Sequence, residues 1–490
     1  MSIASPGEAI EDRRRHCYRR QLLWLAAPGP DRCGPAYYPA EAVLRKADIL
    51  QAFGRWAEVE AVYRAGLDWL AGHGFRNDLA NLQVRLASLL RDRGQYQESL
   101  TLFGSARAAF GQMGDDGGTE RVLSNLAGLH HCQSDFGRAR ECLDQALAIA
   151  RRQGNRKSIC HVIGNLGIIH YEQGEAGRAL DCYQEALRLG QEGGDAEAVM
   201  AATGNIGLIY QEQEDYPRAM EYSTRYLALA EHQGDKQTMS YALGNIGTVL
   251  LATDEYHQAK ECFMQFYEIA RTIGDTQGLI VAADSLAVVL MYQGEYRRSR
   301  QLLDQAMGLA EALGNREDIG RISGYYGEYF AKTEDPAKAE QGVDRAIALY
   351  QEIGAKYYLC DVLQQKAELL FSLKRLDEAR QQNRQARELS DEMDRNQVRF
   401  KTELLEARLL GAEDPEAAAV RLGRMLERQQ PDRHRAWINY YLFMYTGLSD
   451  HREEARGLLR DLHAKSGAVE YRDKLTELEQ AGQGHPGQEE

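Results

Sequence analysis

A polar residue returns on a forty-residue ruler along most of this chain: Asn125, Asn165, Asn205 and Asn245, followed at the same spacing by Ser285, Tyr325 and Gln365. Two residues beyond each mark stands a small residue, from Ala47 and Ala87 through Ala127, Gly167, Gly207, Gly247, Ala287 and Gly327 to Ala367. A second small column lies twelve residues further on, at Ser99, Ala139, Ala179, Ala219, Ala259, Ser299, Ala339 and Ala379. Between the columns an aromatic follows a polar turn at Tyr96, Phe136, Tyr216, Tyr256 and Tyr296. Units close on glycine at Gly114, Gly154, Gly194, Gly234, Gly274 and Gly314.

Each column has a physical reading. Small residues recur where two helix backbones cross closely, a Gly or Asp turn reverses the chain, and the closing glycine supplies a left-handed helix cap. One helical hairpin cannot bury its own apolar face, so neighbouring units stack around a continuous core. The pattern therefore predicts an all-α solenoid of antiparallel helix pairs, nine units over residues 41–400. Beyond 400 the ruler weakens, and residues 401–470 read as two shorter hairpins with a capping role. Residues 1–40 read as an extension with one helix at about 9–26, and residues 471–490, ending in AGQGHPGQEE, as a flexible tail.

Composition removes several function classes. A formal net charge of −14 opposes general binding to nucleic acid or anionic membranes, which requires a basic surface. Eight cysteines with no CxxC pair point to the reduced cytoplasm. No stretch approaches the roughly 20 apolar residues of a membrane span, and the apolar run at 19–30 begins too far in for a signal peptide. The basic run EDRRRHCYRR at 11–20 reads as a solvated helix face or as a contact for an acidic partner.

The small residue in the first helix, the aromatic at the turn and the Ala early in the second helix resemble the tetratricopeptide repeat family. The resemblance covers residues 41–400. The unit is longer than the family's usual 34 residues, and a Gly-Asp element replaces its closing proline. In this the chain is similar to the repeats of the LGN/Pins polarity scaffolds and of bacterial signalling proteins. The resemblance implies a right-handed superhelix that binds a protein or an extended peptide in a concave groove lined by the first helices.

The register implied by the family puts Arg85, Arg121, Asn125, Asn165, Tyr171, Asn205, Gln211, Asn245, Arg321 and Tyr325 along that groove, with Leu208, Val288 and Met291 as apolar docking points. An amide offers a donor and an acceptor together, which suits a peptide backbone. Arg85 and Arg121 suit an acidic group. The alternative is that each Asn bonds a neighbouring repeat and pins the stacking, since buried amides are normally satisfied. Gly164, Gly204 and Gly244, just before the Asn column, read either as tight helix packing or as bare backbone for a ligand.

Chemistry finds little support. His130, His131 and Cys132 with His161, His170 and Cys160 collect ligand types without the closed spacing of a zinc site, so no metal or other cofactor is expected. Cys142, Cys182 and Cys262 fall on the ruler and read as small apolar packing residues. No phosphate loop, HExxH or nucleophile elbow occurs, so no catalytic residue is assigned. The sequence thus points to a non-enzymatic, cytoplasmic peptide- or protein-binding scaffold, or else to a sensor module controlling a partner cyclase, kinase or protease.

Overall fold

The computed structural model describes residues 39–52, 55–133, 135–333, 335–393, 395–428 and 430–483. Among them are 23 α-helices and no strand, and the architecture is an all-α repeat solenoid. The described residues form two compact units, divided between residues 202 and 203, each a run of antiparallel helix pairs. The helix expected at about 9–26 and the basic run at 11–20 lie outside the described residues. Among the described residues, no helix is long and apolar enough to cross a membrane.

One repeat explains the ruler. Its first helix, A, is Lys236–Ala252, 17 residues; its second, B, is Tyr256–Ile273, 18 residues. Three residues turn A into B and two turn B into the next A. The two-residue link has a division of labour: Gly274, at φ 74°, ends helix B in the left-handed region, and Asp275 accepts the Gly278 N–H at 2.9 Å to start the next helix. The same Gly–Asp or Gly–Asn pair recurs, with Asp115 accepting from Gly118 at 2.8 Å, Asn155 from Ser158 at 3.2 Å and Asp235 from Thr238 at 3.2 Å. Each link satisfies orphan groups at one helix end and at the next helix start, which makes a closing proline unnecessary.

The small column marks where A and B share one volume. A Cβ added at Gly247 would sit 2.6 Å from the ring of Phe263, and one at Gly167 would sit 2.6 Å from Tyr183. Where alanine stands in the column, at Ala87, Ala127 and Ala287, the residue sixteen positions later is Phe103, Leu143 or Leu303, each buried. A ring or branched side chain on B thus fills the space that the small residue on A vacates.

The C-terminal helices of the second unit depart from simple stacking. Asn396–Gly411 and Pro415–Leu426 form one hairpin, Asp432–Thr446 and Ser449–Ser466 another, and Val469–Gln483 follows. The tail expected to be flexible from residue 471 is therefore helical as far as Gln483, because Tyr471 and Leu478 are buried on one face and pack with Leu250, Tyr256 and Leu290 in a common core. Residues 484–490 lie outside the described residues.

Two glycine substitutions separate packing from simple helix entropy. Gly247→Ala is expected to destabilise by about 1–3 kcal/mol through overpacking against Phe263. Gly164→Ala, where an added Cβ meets nothing within 4 Å, is expected to stabilise by about 0.5–1 kcal/mol as a helix-interior Gly→Ala change. Urea unfolding midpoints followed by circular dichroism check both.

Candidate functional site

Three successive A helices, Ala196–Glu212, Lys236–Ala252 and Thr276–Tyr292, bring Asn205, Asn245 and Ser285, all residues of the second unit, to equivalent positions. They open onto a cavity of about 330 Å³. Its apolar wall is made by Leu208, Tyr226, Phe263, Phe266 and Val281; its polar groups are Asn205, Asn245, Tyr241, Thr248, Gln277 and Ser285. Among the described residues, no charged side chain lines it.

The backbone at the mouth is bare for a packing reason. A Cβ at Gly204 would come within 3.0 Å of the Tyr226 ring, and one at Gly244 within 2.9 Å of Phe266. Each ring stands twenty-two residues after its glycine. The corresponding residue after Gly164 is Ala186, and there an added Cβ would meet nothing. The rings that exclude a side chain at 204 and 244 also form the cavity wall, so packing and access have the same cause.

The Asn column divides. In the first unit, Asn125 donates to the Arg121 carbonyl at 2.8 Å and accepts from the Ser88 hydroxyl at 3.2 Å, joining two repeats. Asn165 is exposed and Asn205 and Asn245 half-buried, and among the described residues no hydrogen bond is made by their amides. Other polar groups at the cavity are committed. Thr248 donates to the Gly244 carbonyl at 2.9 Å, Tyr241 accepts from Gln237 at 3.1 Å, and Gln277 donates to Asp318 at 2.7 Å. Tyr241 and Leu208 remain 38% and 37% exposed at the opening.

Other expected groove residues are arranged differently. Arg321 pairs with Asp284 at 2.8 Å and Asp318 at 2.6 Å, so its charge is already met inside the fold. Burial pushes the Asp284 carboxyl up to about 6, with Arg321 opposing. Tyr325 packs beside the Ile280, Leu303 and Ile322 cluster, and burial raises its phenol above the ordinary range. Val288 and Met291 are buried, 4% and 1% exposed, and offer no docking surface. The Oε1 of Gln211 is buried without a hydrogen-bond partner. In the first unit, Arg85 is exposed, Arg121 donates to Asn81 and lies over the Phe110 ring, and Tyr171 is half-buried.

The histidines and cysteines have local roles. His161 pairs with Asp195 at 3.1 Å and His170 with Glu175 at 2.6 Å. Cys160 donates to the Ala186 carbonyl at 3.0 Å, and Cys360 repeats this with Ala386 at 3.3 Å. Burial raises the thiols of Cys142, Cys182 and Cys262. Among the described residues, no group of three or more His, Cys, Asp or Glu side chains converges on a common point.

A family model for the tetratricopeptide repeat matches residues 78–152, 158–232 and 238–312. No curated protein matches the chain. Among solved structures, a Rap protein complexed with Competence and Sporulation Factor is similar over 73% of this chain and 99% of its own, at 13% identity and a TM-score of 0.54. The apo form of the quorum sensor NprR from B. thuringiensis aligns with 71% of this chain and 98% of its own, at 16% identity and a TM-score of 0.49. The likeness to the Rap protein is one of fold.

The division of the Asn column has a measurable consequence. Asn205→Ala and Asn245→Ala, which break no hydrogen bond among the described residues, are expected to change stability by no more than about 0.5 kcal/mol. Asn125→Ala, which removes the bridge from Ser88, is expected to cost about 0.5–1.5 kcal/mol. Denaturant midpoints of the three single variants decide it.

Proposed function

The chain is a tetratricopeptide-repeat protein, and from that premise we propose that it works by binding, holding an extended peptide or partner segment against the A helices of its repeats without chemistry of its own. One observation carries this reading: Asn205 and Asn245, one repeat apart, keep unpaired amides beside an uncharged, aromatic-walled cavity. An amide donates and accepts at once, so two of them in register can hold the N–H and C=O groups of one extended backbone. The aromatic wall beneath then accepts a side chain.

The uncharged lining favours a neutral, apolar side chain there, since a charged one would lose water without gaining a partner. In the first unit, taken by itself, Arg85 and Arg121 suit an acidic group, with Asn165 and Tyr171 on the same run of repeats. Arg321 and Tyr325, engaged within the fold, are left out of the contact, and so is Gln211, whose Oε1 is buried.

A regulatory version of this reading, in which ligand binding controls a partner enzyme, is favoured by the C-terminal helices, which pack back on repeats that carry the cavity. The Rap protein of similar fold was solved with Competence and Sporulation Factor, so a binding role is known on this architecture, although fold alone does not assign it.

The test is a peptide array probed with the parent chain and with the Asn205→Ala/Asn245→Ala variant, followed by titration of the peptides retained. Loss of two backbone hydrogen bonds is expected to weaken binding about tenfold or more. Replacing the peptide's apolar anchor by Asp or Lys is expected to weaken it comparably. Retained affinity in the variant would move the binding surface away from the Asn column.

A further inference from the structure

The three A helices that build the cavity end at three turns, and the C-terminal segment touches every one of them. At the first, the carboxylate of Glu214 accepts the backbone N–H of Gln397 at 2.9 and 3.1 Å, and Tyr216 accepts from the Gln397 side chain at 2.5 Å. The helix Asn396–Gly411 has no side-chain cap of its own, since Arg395 occupies that position. Glu214 therefore caps it from 183 residues away. At the second turn Arg433 reaches Asp254 and the Ala252 carbonyl, each at 3.4 Å, and Lys465 reaches Glu255 at 3.3 Å. At the third, a Cβ on Gly294 would lie 2.8 Å from Val469.

In the first two turns the left-handed position is held by a residue with a side chain. The same turn position is glycine at Gly94, Gly174 and Gly294, at φ 73°, 75° and 81°, whereas Glu214 and Asp254 hold φ 57° and 61° with a side chain. That conformation costs energy for any residue but glycine. Lys374, a further non-glycine in this conformation among the described residues, at φ 62°, is exposed. At 214 and 254 the side chain offsets its cost by reaching the C-terminal segment. Asp254 is 3% exposed and also accepts from Tyr256 at 2.8 Å. Arg433 meets both Asp254 oxygens and the Ala252 carbonyl at 3.4 Å, the long end of the hydrogen-bond range. The contact is thus assembled from elements that are individually expensive, and suits a closure that can open.

We infer that residues 396–483 form a clasp on the three repeats that carry the cavity, and that the clasp sets the relative positions of those three A helices. Closure and cavity occupancy are then coupled, a step that rests on the binding reading above. A ligand spanning Asn205 and Asn245 bridges two of the same helices that the clasp holds at their ends. It binds the closed and open arrangements with different affinity.

The experiment is hydrogen–deuterium exchange on the full chain without ligand, so that it stands whether or not a peptide is ever found. The variant is Glu214→Gly/Asp254→Gly/Arg433→Met: glycine is the residue that holds this conformation at Gly94, Gly174 and Gly294, and Met avoids stranding a buried cation. Circular dichroism is expected to show unchanged helicity. Segments 396–411 and 432–483 are expected to exchange about tenfold faster or more, and so are the last turns of 196–212, 236–252 and 276–292. Lys374→Gly makes the same backbone change with no clasp contact, and is expected to alter neither set. Unchanged protection in 396–483 would overturn the clasp, and faster exchange there with the cavity helices unchanged would overturn the coupling. Should the triple variant lose helicity, Glu214→Gly alone strands no charge and puts the same question to 396–411 and 196–212.

Discussion

The structure depends on the close crossing of the two helices within each repeat. Where the first helix carries Gly167 or Gly247, the second presents Tyr183 or Phe263 into the vacated volume. Where alanine stands, Phe103, Leu143 or Leu303 fits instead. Protein interiors tolerate neither voids nor overlaps of a methyl group without cost, so this pairing sets how near A lies to B. The two-residue Gly–Asp link then sets how B hands over to the next A, and the forty-residue ruler follows from those two local rules.

The cavity is a by-product of the same packing. Between 204 and 285 the aromatics of helix B become more numerous, Tyr226 and Phe266 joining Phe263, and the A helices accommodate them with Gly204 and Gly244. Removing two side chains from the A face leaves the neighbouring amides standing over aromatic rings. Asn125, set among smaller partners, bonds across to Ser88. One residue type in one register thus serves stacking in one place and stays unpaired in another, according to what the adjacent repeat offers it.

Much of the fold was legible because the repeat states each rule several times over: the helix pairs, the turns and the glycine caps follow from columns of residues that any one unit would leave ambiguous. The small column indicated close helix crossing, although its size relation to the residue sixteen positions later became visible only with the ring contacts. The site was less legible. Asn205 and Asn245 were marked by their spacing, whereas Tyr226 and Phe266 lie on the other helix, twenty-two residues after their glycines, a separation that one-helix periodicity does not link. The pairing of Arg321 was not legible because sequence does not show that Asp284 and Asp318 converge on it. The helix at Val469–Gln483 was missed because a Gly-rich end masked the Tyr471, Leu475, Leu478 face, whose partners lie about two hundred residues away, a non-local pairing that no ruler records.

The central claim is that a partner meets this chain at the opening between Asn205 and Asn245. The most direct measurement is photo-crosslinking in cells from a benzophenone side chain placed at Tyr241, which stands at that opening, compared with one at Met264, 49% exposed on the neighbouring B helix. The account predicts a discrete crosslinked product from position 241, mapping to one extended segment with an apolar residue at its centre, and none from 264. A product from 264 with none from 241 would contradict it and move the interface to the B-helix side of the repeats.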